Sequence, residues 1–318
     1  MSATSLDKRV RGSRSLPAGV VDRIVAVDWS GRIDTAGQRR HIWAGISTHS
    51  QVTLEAGRTR EELVDWLISL ARETPRMVVS LDCCFSFPAW FLAEHNCAIV
   101  FDFWQHVAAG HGERWLAREC EEAARDVRFW GAPHKRPPEF CGEHLHRSLR
   151  LTDMDNKVTP KMLSDEAERA AKVRGITPKS PFQIGGSGSV GTGSLRAMPF
   201  LLHLHEAGFC IWPFESAALN GSNPRPLLIE MYTRLMTGAV KKSNEAARQS
   251  YLAGKKNDPG YSGLSRAVIT KALASEDAFD ALVSVIEMVR GQEEFPTLKA
   301  TRDEVLRLEG ITWRPGIR

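Results

Sequence analysis

No uninterrupted apolar run in the 318-residue chain approaches the ~20 residues that a membrane-spanning helix needs. The segment from Met1 to Pro17 also lacks the apolar stretch of a secretory signal. It is polar and basic, with Lys8, Arg9, Arg11 and Arg14, and predicts a disordered tail over residues 1–19. Six cysteines (Cys83, Cys84, Cys97, Cys120, Cys141 and Cys210) form no C-x-x-C pair and no regular framework. That excludes a disulfide scaffold and predicts reduced thiols in a cytoplasmic protein. Charge of one sign is not in excess either: the net charge of +4 permits contact with nucleic acid without requiring it. There are no internal repeats, and no G-x-S-x-G turn marks a nucleophilic serine.

What is present is an ordinary globular composition, 42% apolar and 25% charged. The length exceeds the roughly 100–200 residues of a single domain, which predicts one large domain with an insertion or two packed lobes. Arg23 to Ser30, RIVAVDWS, reads as a β-strand, and His41 to Thr48 and Gln51 to Ala56 as two more in an antiparallel meander. Thr59 and Glu62 form a T-x-x-E capping box, which starts a helix over Thr59 to Glu73 with Leu63, Leu67 and Leu70 on one face. Met77 to Leu81 is a continuous apolar run, as in a strand buried on both faces, and ends at Asp82. The first third is therefore strand, strand, strand, helix, strand.

From about residue 86 to 180 the pattern is irregular and reads as an insertion. Helices are predicted within it over Glu113 to Asp126 and Lys161 to Val173. Beyond it come a glycine-rich stretch (Ile184 to Arg196), a helix to Ala207, and strands over Phe209 to Pro213 and Pro226 to Met231. A polar helix over Lys241 to Gly254 and an amphipathic helix over Ser275 to Arg290, N-capped by Ser275, complete the reading.

Several acids stand where an α/β sheet presents its functional edge. Asp28 and Asp82 end apolar strands, and Glu230 ends or nearly ends another. Asp277 and Asp280 lie three apart at the start of a helix and so share a face. Each has a plain structural reading, as a turn residue or as a partner for the helix dipole. Asp280 fits that reading least, because it interrupts the apolar face formed by Ala278, Ala281 and Leu282. Converging carboxylates suit Mg²⁺ or Mn²⁺, hard cations that take oxygen ligands. A two-metal phosphodiester site gathers several such groups around ions ~3.5–4 Å apart.

Taken together, IVAVDWSG, VVSLD, GGSGSVGTGSLR, LLIEMYTRLMTG, DAFDALVSV and the late LEGITWRP resemble the family designated domain of unknown function 429. The resemblance runs from about Val20 to the C-terminus and is weakest before the glycine-rich stretch. It implies a ribonuclease H-like fold, a mixed five-stranded sheet flanked by helices over residues 20–318 with a mostly helical insertion. It further implies a metal-dependent nuclease acting on nucleic acid or nucleotides, with Asp28, Asp82, Glu230 and Asp280 as metal ligands and Asp277 in support. Two positions depart from the family pattern. Thr233 stands where proline is common, an effect expected only in the local turn. Cys83-Cys84 follow Asp82 where a small residue and proline are usual.

Gly186, Gly188 and Gly191 satisfy G-x-G-x-x-G, with Glu215 after the next strand, close to a dinucleotide-binding fingerprint. The two prolines of PKSPFQI fit poorly in the strand that should precede it. No Lys-Ser/Thr pair follows, so this is not a Walker motif. Two readings stay open: a flexible turn, or a phosphate cradle at a helix N-terminus built from Gly186, Ser187, Gly188, Ser189, Gly191 and Thr192, with Ser194 and Arg196 nearby. His134, Cys141, His144 and His146 lack a standard zinc spacing and read first as surface loop, as do Lys135, Arg136, Arg147 and Arg150. Trp29, beside Asp28, is a candidate for stacking on a base. Two rivals to the nuclease remain, a phosphotransferase or ATPase on the same core and a nucleic-acid-binding module without turnover.

Overall fold

The computed structural model describes residues 21–48, 51–117, 126, 128–131, 180–186, 189–238 and 240–316. Strand β1 (Arg23–Asp28) is followed by helix α1 (Thr35–His41), strands β2 (Trp43–Thr48) and β3 (Gln51–Glu55), helix α2 (Arg60–Glu73) and strand β4 (Met77–Leu81). Thr59 caps α2 as its sequence requires, its hydroxyl accepting from the Glu62 amide and the Glu62 carboxylate from the Thr59 amide. Helix α1 is an addition to the expected meander. Asp34 accepts a hydrogen bond from the Gly37 amide and so caps a short helix between β1 and β2, which moves His41 from a strand to a helix end.

β1, β2 and β3 pair antiparallel in sequence, and β4 lies parallel to β1 on its other side. Strands β5 (Cys210–Trp212) and β6 (Leu227–Met231) complete the order β3-β2-β1-β4-β6-β5. Among the described residues the sheet has seven strands where the resemblance implied five: the six strands read from the sequence are all present, and Thr312–Trp313 adds a two-residue β7. It pairs with Glu230 and Met231 of β6 and prolongs the β5 edge.

The sheet is buried on both faces. Val25, Val27, Met77, Val79, Leu81 and Leu228 face α2 and the Gly191–Glu206 helix. Ile24, Ala26, Val78, Leu227 and Ile229 face the Glu276–Arg290 helix and its neighbour Arg266–Ala274. Alternate residues of a strand point to opposite faces, so position parity decides which layer each side chain meets. The start of the expected insertion belongs to this core: Phe85, Phe87, Phe91, Phe103 and Trp104 are fully buried beside the α2 face. The helix expected from Glu113 is part of Gly112–Leu116, which ends at Ala117 in an extended conformation; beyond that, among the residues expected as helical, only Asp126 is described. The Lys161 to Val173 helix, the basic tail and the Cys/His and basic loop lie outside the described residues. No helix among the described residues is long and apolar enough to cross a membrane.

Candidate metal centre

β1 and β4 run parallel in register, Val27 opposite Leu81, so Asp28 and Asp82 emerge side by side at one sheet edge. The Asp82 amide extends the pairing, donating to the Val27 carbonyl at 3.0 Å. By parity both acids belong to the face that carries Ile24, Ala26 and Val78, the face covered by the Glu276–Arg290 helix. Gly45 in β2 brings that helix close, since a Cβ there would collide with the Ala281 carbonyl. The residue before Ala281 is Asp280. Carboxylate oxygens of Asp28, Asp82 and Asp280 consequently lie within 4.8 Å of one another.

Three acids so close in a largely closed space repel, and burial disfavours their charged forms. Burial is the main cause that raises Asp28 well above the ordinary carboxylate range, Asp82 to about 7 and Asp280 to about 6. The neighbouring Lys242 ammonium pulls all three the other way. It is ion-paired with Asp280 Oδ2, and the three acids hold it charged above the usual lysine range against the effect of its own burial. The second oxygen, Asp280 Oδ1, is buried with no hydrogen-bond partner, and Asp280 as a whole is only 1% exposed. Three hard oxygen donors, one of them orphaned, fit Mg²⁺ or Mn²⁺.

Lys242 is the principal residue that sequence reasoning passes over. In sequence it is one of two lysines at the head of a polar helix. The helix in fact begins later, at Glu245, with Asn244 as its N-cap, and leaves Lys242 in a turn. Arg234 donates to the Val240 carbonyl and Arg248 to that of Lys242, so two guanidinium groups hold the turn against the site.

No family model, curated protein or solved structure matches the chain. The remaining expected site residues are therefore placed by geometry alone. Glu230 is buried, but its parity is that of Leu228, on the opposite face of the sheet from Asp28 and Asp82. It accepts hydrogen bonds from the Phe85 amide at 2.7 Å and the Thr312 hydroxyl at 2.6 Å. It thus ties the loop after Asp82 to β7 and stands outside the triad. Asp277 turns to the rim instead, where its Oδ2 lies 2.8 Å from His41 Nδ1. Thr233 does more than shape a turn: its hydroxyl donates to Asp82 Oδ2 at 3.4 Å and lies 2.9 Å from the Ser284 hydroxyl.

The glycine-rich stretch also acts through packing. A Cβ on Gly191 would overlap the Pro181 carbonyl oxygen, and one on Gly31 would come 2.6 Å from the Gly193 nitrogen. Thr192 Oγ1 donates to the Ile184 carbonyl at 2.7 Å; the Ser194 hydroxyl accepts from the Cys84 amide at 2.9 Å. Arg196 is engaged with the Glu113 carboxylate and the Gly31 carbonyl. Gly31, Ser194 and Arg196 tie this helix to the loops that follow Asp28 and Asp82, while Gly191 and Thr192 pack on residues 181–184, so the side chains of Thr192, Ser194 and Arg196 are engaged within the fold. Gly186 takes a left-handed conformation (φ 76°), and the Ser189 amide approaches its carbonyl at 3.4 Å. Ser187 and Gly188 lie outside the described residues. Trp29 is 8% exposed, packs edge-on against Phe200 and donates to the Gly193 carbonyl at 3.1 Å, which makes it core and not a stacking platform.

Proposed function

We propose that this chain is a divalent-metal-dependent phosphodiesterase, acting as a nuclease, built on a ribonuclease H-like core of the kind its motifs resemble. The convergence of Asp28, Asp82 and Asp280 from two parallel strands and a packed helix carries the reading. The meander β1-β2-β3 with β4 inserted parallel beside β1 is the strand arrangement such a core requires, and it supports the same reading.

Asp28, Asp82 and Asp280 would hold Mg²⁺ or Mn²⁺. Such an ion supplies Lewis-acid stabilisation of charge on a phosphoryl group and a more acidic water. The chain supplies the rest. Strand ends fix two carboxylates on a rigid sheet, and the Thr233 hydroxyl orients Asp82. Asp280 keeps one oxygen free while Lys242 neutralises the other. A phosphodiester, itself an anion, meets an ammonium at the same site. The phosphotransferase alternative draws no support from the Thr192 and Arg196 side chains, which are engaged within the fold.

The test is cleavage of single- and double-stranded DNA, RNA, RNA–DNA hybrid and branched DNA with Mn²⁺ or Mg²⁺, alongside Asp28→Asn and Asp280→Asn. Metal-dependent cleavage by the wild type, lost in folded variants, is the expected result. Folded variants with full activity would refute it. A folded wild type that cleaves nothing but is stabilised by ATP would favour the phosphotransferase.

A further inference from the structure

The charge inventory of the triad bears on how many ions it takes. As metal ligands the three carboxylates would be deprotonated and carry three negative charges, and the Lys242 ammonium returns one positive charge. A single divalent ion therefore brings the cluster to neutrality, whereas two would leave it two charges positive in a largely closed site. Burying uncompensated charge is costly, several kcal/mol per ion in order of magnitude, so neutrality is the arrangement the fold favours.

Lys242 is not a chance visitor to this cluster. Its backbone is held by Arg234 through the Val240 carbonyl and by Arg248 through its own carbonyl, and Arg248 is itself anchored to the Leu273 carbonyl. Arg248 is 5% exposed, so the clamp is part of the interior. The ammonium bears on Asp280 directly and on Asp28 and Asp82 through space. It occupies Asp280 Oδ2 and leaves Oδ1 as the unfilled ligand atom.

We propose that Lys242 stands in for a second cation, so that the site formed by Asp28, Asp82 and Asp280 binds one divalent ion per chain. The inference rests on the metal-centre reading above. It makes Lys242 a positioning residue for the carboxylates, with a fixed positive charge where a two-ion centre would place its other ion.

The experiment is Mn²⁺ binding to the full chain, by calorimetry and by electron paramagnetic resonance of free Mn²⁺, for the wild type, Lys242→Met and Lys242→Arg. The expected result is one ion per chain in the wild type and in Lys242→Arg. Lys242→Met should bind its first ion roughly tenfold more tightly, because a competing positive charge is gone, and should admit a second, weaker ion. Two ions of similar affinity in the wild type would overturn the inference while leaving the metal centre standing. So would Lys242→Met, shown folded by its melting curve, with one ion at unchanged or weaker affinity. If Lys242→Met does not fold, the wild-type and Lys242→Arg stoichiometries decide the question alone. No binding by the folded wild type would overturn the metal centre, and the single-ion inference with it.

Discussion

Glu230→Ala separates a structural carboxylate from a metal ligand. In the native chain this side chain is 1% exposed and accepts from the Phe85 amide and the Thr312 hydroxyl. Hydrogen bonds to a charged acceptor contribute about 1.5–3 kcal/mol each, and removing the acceptor strands both donors in an interior that water does not reach. Two such bonds together with the vacated volume lead to an expected loss of about 3–6 kcal/mol. A loss of that size is a large share of the stability of an ordinary domain, so the denaturant midpoint and the melting temperature should both fall clearly. The assay is urea denaturation of wild type and variant at matched pH, followed by Mn²⁺ titration under conditions where the variant is folded. Mn²⁺ affinity should change by less than about tenfold, since Glu230 lies on the far face of the sheet from the three aspartates. A variant of unchanged stability that has lost Mn²⁺ binding would refute the assignment and return Glu230 to the ligand set.

The histidines that stack outside the carboxylate cluster give a pH dependence. Burial, and then His111 and His95, hold His106 down to about 4, and His95 is lowered by its own burial as well. A base whose folded pKa is depressed contributes stability that is complete above its unfolded value near 6.5 and is lost as pH falls through about 4. The urea midpoint should therefore drop between pH 7 and pH 4.5, and His106→Phe should flatten part of that drop; an identical slope in the variant would contradict it. Gly191→Ala should lower the melting temperature sharply, since its Cβ would overlap the Pro181 carbonyl and the backbone of residues 181–184 would have to shift. A Gly191→Ala protein that melts with the wild type would show that this close approach is not needed.

Much of the frame was legible in residues that act locally. The Thr59/Glu62 box, the apolar run Met77 to Leu81 and the Ser275 cap each specify an element within a few residues, and each appears where expected. Asp280 stood out in sequence because it interrupts an apolar helix face, whereas Asp28 and Asp82 each read equally well as turn residues and were singled out, with Glu230, only by the combined pattern of acids and the family resemblance. The two-residue β7 was not legible, because it exists only by pairing with β6, and neither was α1, whose cap at Asp34 sits among turn-like residues.

What the chain alone determined, then, was the list of acids and the elements that bear them. Only the tertiary structure decided which acids meet. Glu230 and Asp82 end neighbouring parallel strands and look equivalent in sequence, yet strand alternation sends them to opposite faces. Asp277 and Asp280 share a helix end, yet one reaches His41 at the rim and the other is driven into the interior by the close crossing at Gly45. Lys242 carries no local mark at all. Its role comes from two arginines that hold its backbone and three aspartates that surround its charge, and these groups are brought together only by packing the Glu276–Arg290 helix onto the sheet.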